Sequence, residues 1–434
     1  MKDKVDDIRA VVHLSSTAVQ TVIGRACKSG KIEILAAGIA HTDSFFAGQI
    51  SNRDYLLSAI HKSIYEAMDM AGVEIFWVGL SFAAPIMSGE NNRQVVQIID
   101  ERQDKGVIDS QDVQAAFEQA KRELAHKEQA AIQLCAQLML LDDGTSAKNA
   151  VGMRANQLTV HLHCISVPKI YYKRIFDLFA FHNIAVHPWL FDGVASACYV
   201  LTDDEKERGV LFVDIGAGTT SICLYKEQKL LFSRCLDIGG KAVDMDIADK
   251  FKLSLVEAES LKKNYGSAYP NKKLRGEYIT IKKTSGGELT INLYELATVI
   301  QDGYCALFDV IIEMVNENNL GGVMDCGIVL AGGASRASGL VALLEENIQV
   351  DVRKMGINDK ISVCIEHLDS DNIKLLNSYL QTGELHSVLG ALMYQYTEQY
   401  RQDEHIKHQE KAEGLLHYLG KRSKDLFGML KQWM

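Results

Sequence analysis

The sequence lacks an uninterrupted apolar run of about 20 residues, which is the length that a helix needs to cross a bilayer. It also lacks a secretory signal near its start, because Asp3, Asp6 and Asp7 leave no basic stretch there and no long apolar run follows. Closely spaced cysteine pairs are missing as well, so the nine cysteines are expected to be free thiols in a reducing compartment.

An excess of positive charge is also absent, because 46 Lys and Arg stand against 56 Asp and Glu. Nucleic-acid binding needs a basic surface, so the net charge of −10 predicts no nucleic acid as a partner. Any anionic partner has to meet a local basic patch instead. The length of 434 residues predicts two or three globular domains.

What the chain does contain is one order of predicted elements, seen twice. Each set has three β-rich runs, a helix and a later strand: 10–14, 17–26, 31–40, 52–72 and 76–83 in the first half, and 209–214, 219–225, 229–236, a helix starting near 240 and 326–333 in the second. Although αβ patterns can match by chance, this repeat predicts a duplicated α/β domain with a cleft between its halves.

Each half also carries an insertion. The first insertion, at 78–165, contains a polar helix (110–128) and an alternating strand (157–167). The second, at 243–303, contains the basic stretch 262–283, with seven Lys or Arg against one Glu. Such a stretch favours an anionic partner, although a solvated surface has the same composition.

The run VLFVDIGAGTTSICLY, residues 210–225, combines a buried strand, Asp214 and a glycine turn. Because glycines carry no side chain, their N–H groups can approach phosphate oxygens closely, and Asp214 can hold a water bound to Mg²⁺. A plain β-hairpin turn has a similar composition. The predicted phosphate contacts at this turn are Gly216, Gly218, Thr219 and Thr220.

Other motifs of the second half are also suited to contacts with a nucleotide. Glycines between a strand and a helix are where α/β folds receive a phosphate or a base. A Glu and a Lys three residues apart on one helical face could meet ribose hydroxyls, although a surface ion pair has the same spacing. The residues concerned are Gly239 and Gly240, then Glu259 and Lys262, then Gly332, Gly333, Ala334 and Ser335.

The order DIGAGTT, IGG, AESLKK and LAGGAS resembles the actin, Hsp70 and sugar-kinase ATPase superfamily. Within it, residues 191–225 resemble the FtsA family of bacterial cell-division proteins. The first insertion lies at the position of the subdomain that is specific to that family. The HSVLGALMY segment (386–394) resembles the segment that closes the nucleotide domain in the family. The likeness extends over essentially the whole chain, and the N-terminal part matches loosely.

The resemblance implies an α/β fold of duplicated actin-like (ribonuclease H-like) domains around a nucleotide cleft, with an FtsA-type inserted subdomain and a C-terminal amphipathic helix. The implied divisions are subdomain 1A (1–77 and 166–205), subdomain 1C (78–165), subdomain 2A (206–242 and 304–396), subdomain 2B (243–303), a linker (397–413) and the amphipathic helix (414–434).

The resemblance also implies that the cleft binds ATP and Mg²⁺. Asp214 would face the magnesium ion through a water, and the turn that follows it would hold the β- and γ-phosphates. The pair at 239–240 would lie near the phosphates or ribose, Glu259 and Lys262 near the ribose and base, and residues 332–335 near the adenosine. No residue is predicted to be catalytic.

The matching loop of the first half departs from the superfamily pattern. It lies in VVHLSSTAVQTV (11–22), which lacks the acidic residue and the glycine and is expected to be about two residues shorter than the superfamily loop. Ser16 and Thr17 can still offer hydroxyls to a phosphate, but serine lacks the backbone freedom of glycine. ATP is therefore expected to be held mainly by the second half, with slow or absent hydrolysis.

The last residues carry an independent pattern. On a helix, the large apolar residues of 414–434 share one face and the lysines lie opposite, after a segment (397–413) with almost no large apolar residues. A terminal helix can dock on the protein body, but this combination is typical of binding at a membrane surface. The residues predicted to meet an anionic membrane are Leu415, Leu416, Leu419, Lys421, Lys424, Leu426, Phe427, Leu430, Lys431 and Trp433.

The predicted function is that of an ATP-binding, actin-like cell-division protein, not an enzyme, that polymerises on the cytoplasmic face of the inner membrane at the division septum. There it would anchor the tubulin-like protein FtsZ, whose acidic C-terminal peptide suits the basic stretch 262–283 of subdomain 2B, and help recruit later division proteins. One alternative is an FtsA-related pilus-assembly adaptor, against which the amphipathic tail argues. The other is a sugar or acetate kinase, for which no carboxylate base stands out.

Overall fold

The computed structural model of the protein describes residues 8–27, 30–98, 106–365 and 368–397. Its strands are β1 (Ile8–Leu14), β2 (Ala18–Ala26), β3 (Ile32–His41), β4 (Phe45–Phe46), β5 (Gln49–Ile50), β6 (Trp77–Phe82), β7 (Ser88–Gln97), β8 (Gly106–Val107), β9 (Gln129–Leu141), β10 (Ser146–Ala147), β11 (Arg154–Ala155), β12 (Gln157–Pro168), β13 (Ala185–Phe191), β14 (Val210–Ile215), β15 (Thr220–Lys226), β16 (Lys229–Leu236), β17 (Tyr278–Lys282), β18 (Glu288–Asn292), β19 (Ile328–Ala331), β20 (Val352–Lys354) and β21 (Ile361–Val363).

Its helices are α1 (Arg53–Ala71), α2 (Ser110–His126), α3 (Lys169–Ala180), α4 (Asp192–Val200), α5 (Asp203–Arg208), α6 (Gly240–Phe251), α7 (Leu255–Tyr265), α8 (Leu293–Glu317), α9 (Leu340–Ile348), α10 (Ser370–Thr382) and α11 (His386–Tyr394). None of these helices is long and apolar enough to cross a membrane, within the ranges just given. All nine cysteines lie within the described residues, and no disulfide joins any of them there. The predicted amphipathic helix and all but the first residue of the predicted linker lie outside the described residues.

Two sheets of the same design confirm the predicted duplication. The first has the order β13-β6-β1-β2-β3-β21, and the second has the order β16-β15-β14-β19-β20. In each half three antiparallel strands come first in the chain, and two strands parallel to the first of them follow later. Strand β21 comes from the C-terminal part and extends the first sheet beside β3.

The turn after the first strand has the same form in both halves. The N–H of Ser15 donates to the Ala18 carbonyl at 3.0 Å, and the N–H of Gly216 donates to the Thr219 carbonyl at 2.8 Å. Four residues therefore lie between the last strand pairs of each hairpin. The first loop therefore has the same length as its counterpart in the second half.

The first insertion forms its own layer, the antiparallel sheet β10-β9-β12-β7 with α2 packed against it. Asp109 caps α2 in a capping box with Asp112. The apolar face of α2 recurs at helical spacing through Phe117, Ala120 and Leu124, and it packs into a separate hydrophobic core with the sheet.

This inserted sheet is fastened to the second half as well as to the first. Asn91 of β7 donates from Nδ2 to the Leu231 carbonyl of β16 at 3.1 Å. His163 of β12 lies 2.7 Å from Asn91 Oδ1 and 2.8 Å from Ser233 Oγ of β16. Burial lowers the pKa of His163 to about 4, so its neutral ring donates to Asn91 and accepts from Ser233. The insertion thereby covers an edge strand of the second sheet.

The second insertion includes α7, which packs on α6, and the β17–β18 hairpin, which packs on the long helix α8. Ser254 caps α7 in a capping box with Glu257. Glu257 also accepts from the backbone N–H of Thr284 at 2.5 Å, and these hydrogen bonds lower its pKa to about 2. The helix and the hairpin are thus tied to each other.

Two short helices, α4 and α11, form the floor between the halves. Helix α4 contacts strands of both sheets, and α11 contacts α4 and the first sheet. They cross so closely that a Cβ on Gly390 would lie 1.9 Å from the Ala195 carbonyl oxygen. A glycine is required at this crossing, because any side chain would push the helices apart.

Candidate functional site

The carboxylate of Asp214 lies at the end of β14, where the second sheet meets the cleft floor, and the residue is 4% exposed. Gly332, just after β19, presses against it. A Cβ at Gly332 would lie 2.4 Å from both Asp214 Oδ1 and the Ile215 carbonyl oxygen, and its φ of +86° is the left-handed conformation that glycine favours. Two of the predicted glycine motifs therefore meet at Asp214.

The third glycine motif lies on the turn that follows Asp214. The N–H of Gly240 donates to the Gly216 carbonyl at 2.9 Å, and the N–H of Lys241 donates to the Ala217 carbonyl at 2.9 Å. A Cβ on Gly240 would lie 2.7 Å from the methyl group of Ala334. The start of α6, the turn at 216–219 and the loop after β19 therefore converge, although they lie far apart in the chain.

Glu259 and Lys262, which were predicted to lie near the ribose and base, have different surroundings. Lys262 points to the glycine motifs, where its Nζ donates to the Gly240 carbonyl at 2.6 Å and lies 2.8 Å from Asp244 Oδ1. Glu259 instead pairs at the surface with Lys263 Nζ at 2.6 Å. Burial raises the pKa of Asp244 although Lys262 opposes that shift. Of the predicted pair, only Lys262 touches the converging loops.

Several predicted hydroxyls serve the local backbone. Thr220 Oγ1 donates to the Ile238 carbonyl at 2.7 Å, and Ser335 Oγ donates to the Gly332 carbonyl at 2.8 Å. Both side chains are almost fully buried, so they hold the loops in shape. At Gly333, by contrast, no atom lies within 4 Å of the position that a Cβ would take, so this part of the cleft wall is open.

The loop of the first half faces the glycine turn across the cleft. A Cβ on Gly218 would lie 2.8 Å from Ser16 Oγ and 2.9 Å from the Phe46 ring. Lys241 Nζ lies 4.4 Å from the centroid of that ring. Ser16 Oγ also accepts from the backbone N–H of Ala47, just after β4, at 3.2 Å. Ser16 thus lies at the predicted phosphate end.

A chain of buried polar side chains runs beneath the glycine turn from one half to the other, and Asp214 is the one member for which the sequence predicted a role. His386 Nε2 lies 2.8 Å from Asp214 Oδ2, and Ser387 Oγ lies 3.2 Å from the same nitrogen. Ser387 Oγ is 2.9 Å from Ser196 Oγ, which donates to Asp192 Oδ1 at 3.3 Å.

This polar chain ends in the first half at His13. Its Nδ1 lies 3.8 Å from Asp192 Oδ1. His13 is the second-to-last residue of β1, as Asp214 is of β14, so the first half carries an imidazole where the second half carries a carboxylate. Burial foremost raises the pKa of Asp192, and His13 opposes that shift. The equivalence of the two turns was the signal that could have singled out His13.

His386 is held as a cation by its two neighbours. Nδ1 lies 3.0 Å from the Gly383 carbonyl oxygen, and Nε2 faces the carboxylate of Asp214. Both ring nitrogens face acceptors, so both carry protons. Burial lowers the pKa of His386, but the Asp214 charge outweighs it and the net shift is upward. Burial likewise raises the pKa of Asp214, and His386 reverses that shift. The pair is therefore ionised.

The residues at this place do not fit the predicted magnesium ion. The Oδ2 atom of Asp214 already accepts from an imidazolium, and its Oδ1 atom lies against Gly332. Across the residues that the structure describes, no group of three or more His, Cys, Asp or Glu side chains is arranged to hold a metal ion. Mg²⁺ usually binds through one or two carboxylates and several waters, and the charge of the Asp214 carboxylate is already paired with that of His386.

Comparisons with known proteins establish the family. A sequence profile described as cell division protein FtsA matches residues 211–369, and a profile described as the SHS2 domain inserted in FTSA matches residues 86–166. Together they cover more than half of the chain. The chain belongs to the FtsA family.

Individual relatives agree with this assignment. FtsA of Buchnera aphidicola subsp. Schizaphis graminum is 28% identical over 79% of this chain and 82% of its own. FtsA of Pseudomonas aeruginosa is 27% identical over 79% of this chain and 81% of its own. FtsA of Buchnera aphidicola subsp. Baizongia pistaciae is 25% identical over 98% and 94%. The chain therefore has a role in cell division, as the resemblance implied.

Solved structures of other proteins share the fold. The PilM–PilN type IV pilus biogenesis complex matches with a TM-score of 0.60 and 16% identity, over 88% of this chain and 97% of that one. MreB5 of Spiroplasma citri bound to AMPPNP matches with a TM-score of 0.51 and 14% identity, over 91% and 98%. At such identities the likeness shows the fold alone, and that fold is the predicted actin-like one.

Proposed function

We propose that this FtsA-family protein binds ATP in its cleft, polymerises on the cytoplasmic face of the inner membrane at the division septum and anchors FtsZ there, helping to recruit later division proteins. The observation that carries the proposal is the FtsA-type insertion at 86–166, which forms its own sheet within an actin-like fold. The protein acts as a scaffold in this proposal, and no catalytic residue is assigned.

Nucleotide binding is supported by the convergence of the three glycine motifs. The turn at 216–219, the start of α6 and the loop at 332–335 meet beside Asp214, with open space at Gly333. Backbone N–H groups and glycines at such a convergence suit phosphate and base. The related fold of MreB5 was solved with ADP and with AMPPNP. In this proposal the second half supplies most of the contacts, as the sequence predicted.

FtsZ binding is assigned to the basic stretch 262–283. Lys262 is only partly exposed and pairs with Asp244, so it is not part of that surface. The charges that remain exposed lie on α7 and around the β17–β18 hairpin, and they suit an acidic peptide. They are Lys263, Lys272, Lys273, Arg275 and Lys282.

The test of the proposal is co-sedimentation of FtsZ with anionic liposomes, with and without this protein and ATP. FtsZ is expected in the pellet only when the full chain is present. The change Leu426→Glu should leave FtsZ in the supernatant, because it places a charge on the predicted apolar face. The matched change Gln432→Glu adds the same charge on the opposite helical face and should keep FtsZ in the pellet.

Failure of the full chain to bring FtsZ to the liposomes would remove the anchoring role. Equal recruitment by the Leu426→Glu and Gln432→Glu variants would remove the tail as the anchor. The pilus-assembly alternative rests on the shared fold alone, and it predicts no FtsZ in the pellet under any condition.

A further inference from the structure

The ion pair of His386 and Asp214 occupies the place that the sequence assigned to a magnesium-facing carboxylate. Its two side chains are buried, with residue exposures of 8% and 4%. Helix α11 supplies the imidazolium, and the Gly383 carbonyl fixes the orientation of the ring through Nδ1. A metal-bound water at Asp214 Oδ2 would have to share this oxygen with the imidazolium, whose positive charge repels a metal ion.

The first half offers no replacement carboxylate at the equivalent position. His13 stands there, 5% exposed, at the end of β1. Asp192 comes next along the polar chain, but it is buried on α4 and accepts from Ser196 Oγ. The floor of the cleft therefore alternates imidazole and carboxylate groups, and each of the two carboxylates has a neighbour of opposite charge or a hydrogen-bond donor.

The ion pair of His386 and Asp214 changes the charge that the phosphates of a nucleotide would meet in the cleft. A lone carboxylate beside the phosphates repels their oxygens, and in metal-dependent sites a bound cation offsets that repulsion. Here a fixed imidazolium lies 2.8 Å from the carboxylate and offsets its charge before any ligand arrives. Lys241, on the first turn of α6 beside Phe46, adds a second positive charge at the phosphate end.

We propose that the cleft receives its nucleotide without a bridging divalent cation, with the His386 imidazolium as the built-in counter-ion of Asp214. This inference rests on the nucleotide binding proposed above and concerns the same site. The ligand class is a nucleoside di- or triphosphate free of metal. The position of His386 decides the metal requirement, while the glycine motifs decide whether the nucleotide is bound.

The test compares ATP affinity of the full chain in excess Mg²⁺ and in excess EDTA, measured by isothermal titration calorimetry. The two dissociation constants are expected to agree within about threefold. Binding that is weaker in EDTA by about tenfold or more would overturn the inference and leave nucleotide binding standing. No binding in either condition would remove the nucleotide proposal, and this inference with it.

A variant identifies the residue responsible. The change His386→Gln keeps a donor for Asp214 but removes the charge, so ATP affinity in EDTA should fall about tenfold and recover on adding Mg²⁺. The matched change His163→Gln, at the buried histidine of the inserted sheet, should leave the metal independence as it is. Equal affinities of His386→Gln in EDTA and Mg²⁺ would overturn the role of the imidazolium. If that variant does not fold, the wild-type comparison still decides the inference.

Discussion

At the scale of single residues, Gly332 and Gly333 show how differently two adjacent glycines can act. Gly332 has a φ of +86° and lies against Asp214 and Ile215, whereas Gly333 has a φ of −62° and nothing near its side-chain position. The first is therefore required by both conformation and space, and the second by neither. Sequence motifs present the two as one glycine pair.

The change Gly332→Ala should lower the free energy of unfolding by roughly 2 kcal/mol or more, because an L-residue is strained at that φ and its methyl group meets the Ile215 carbonyl. The control Gly333→Ala should change it by about 0.5 kcal/mol or less. Urea denaturation of the two variants beside the wild type measures both values. Equal destabilisation by the two changes would contradict the role given to Gly332.

At the scale of elements, the second insertion shows how packing sorts a run of charges. Lys262 lies on the face of α7 that turns toward α6 and becomes part of the cleft wall. Lys272 and Lys273 lie outside regular strands, beside the β17–β18 hairpin, and are exposed. The basic stretch 262–283 therefore contributes one lysine to the cleft wall and others to the exposed surface.

Reversing the exposed charges by Lys272→Glu together with Lys273→Glu should weaken binding of the acidic FtsZ C-terminal peptide by about tenfold at low salt. The matched pair Lys173→Glu and Arg174→Glu changes net charge equally on exposed positions of α3 and should leave the affinity nearly unchanged. Fluorescence anisotropy of a labelled peptide measures both. Similar losses from the two pairs would mean that net charge, not this surface, governs binding.

At the scale of the whole molecule, the two halves meet at a floor that is asymmetric. The two turns have the same length, but the second contains glycines and follows Asp214, whereas the first contains serines and follows His13. Phosphoryl transfer usually depends on a metal ion that offsets the developing charge. The pairing of Asp214 with His386 works against such an ion, so the geometry suits holding a nucleotide more than cleaving it.

Turnover of ATP by the full chain should therefore stay well below about 1 s⁻¹, the lower end of the usual enzyme range. Phosphate release measured with excess ATP and Mg²⁺, at increasing protein concentration to allow polymerisation, gives the rate. Buffer without protein sets the background. A rate of about 1 s⁻¹ or higher would contradict the prediction.

Much of the fold could be predicted from the order of residues because its causes are local. Alternating and helical apolar spacing indicates strands and helices, and a glycine turn after a buried strand indicates close backbone approach. The repeated order of elements, the insertion with α2 and the run from β19 into α9 were all visible in this way. The equal length of the two turns was missed, since the serines of the first turn hide its likeness to the second.

The cleft floor was decided only by tertiary structure. His386 and Asp214 are separated by 172 positions, and Ser196 and Ser387 by 191, so no spacing rule connects them. The crossing of α4 and α11 at Gly390 brings these side chains together between the two sheets. Local sequence determined which backbone segments could approach a phosphate. Which charges face each other there, and hence the expected independence of metal, followed from packing, because electrostatic pairing acts through space and not along the chain.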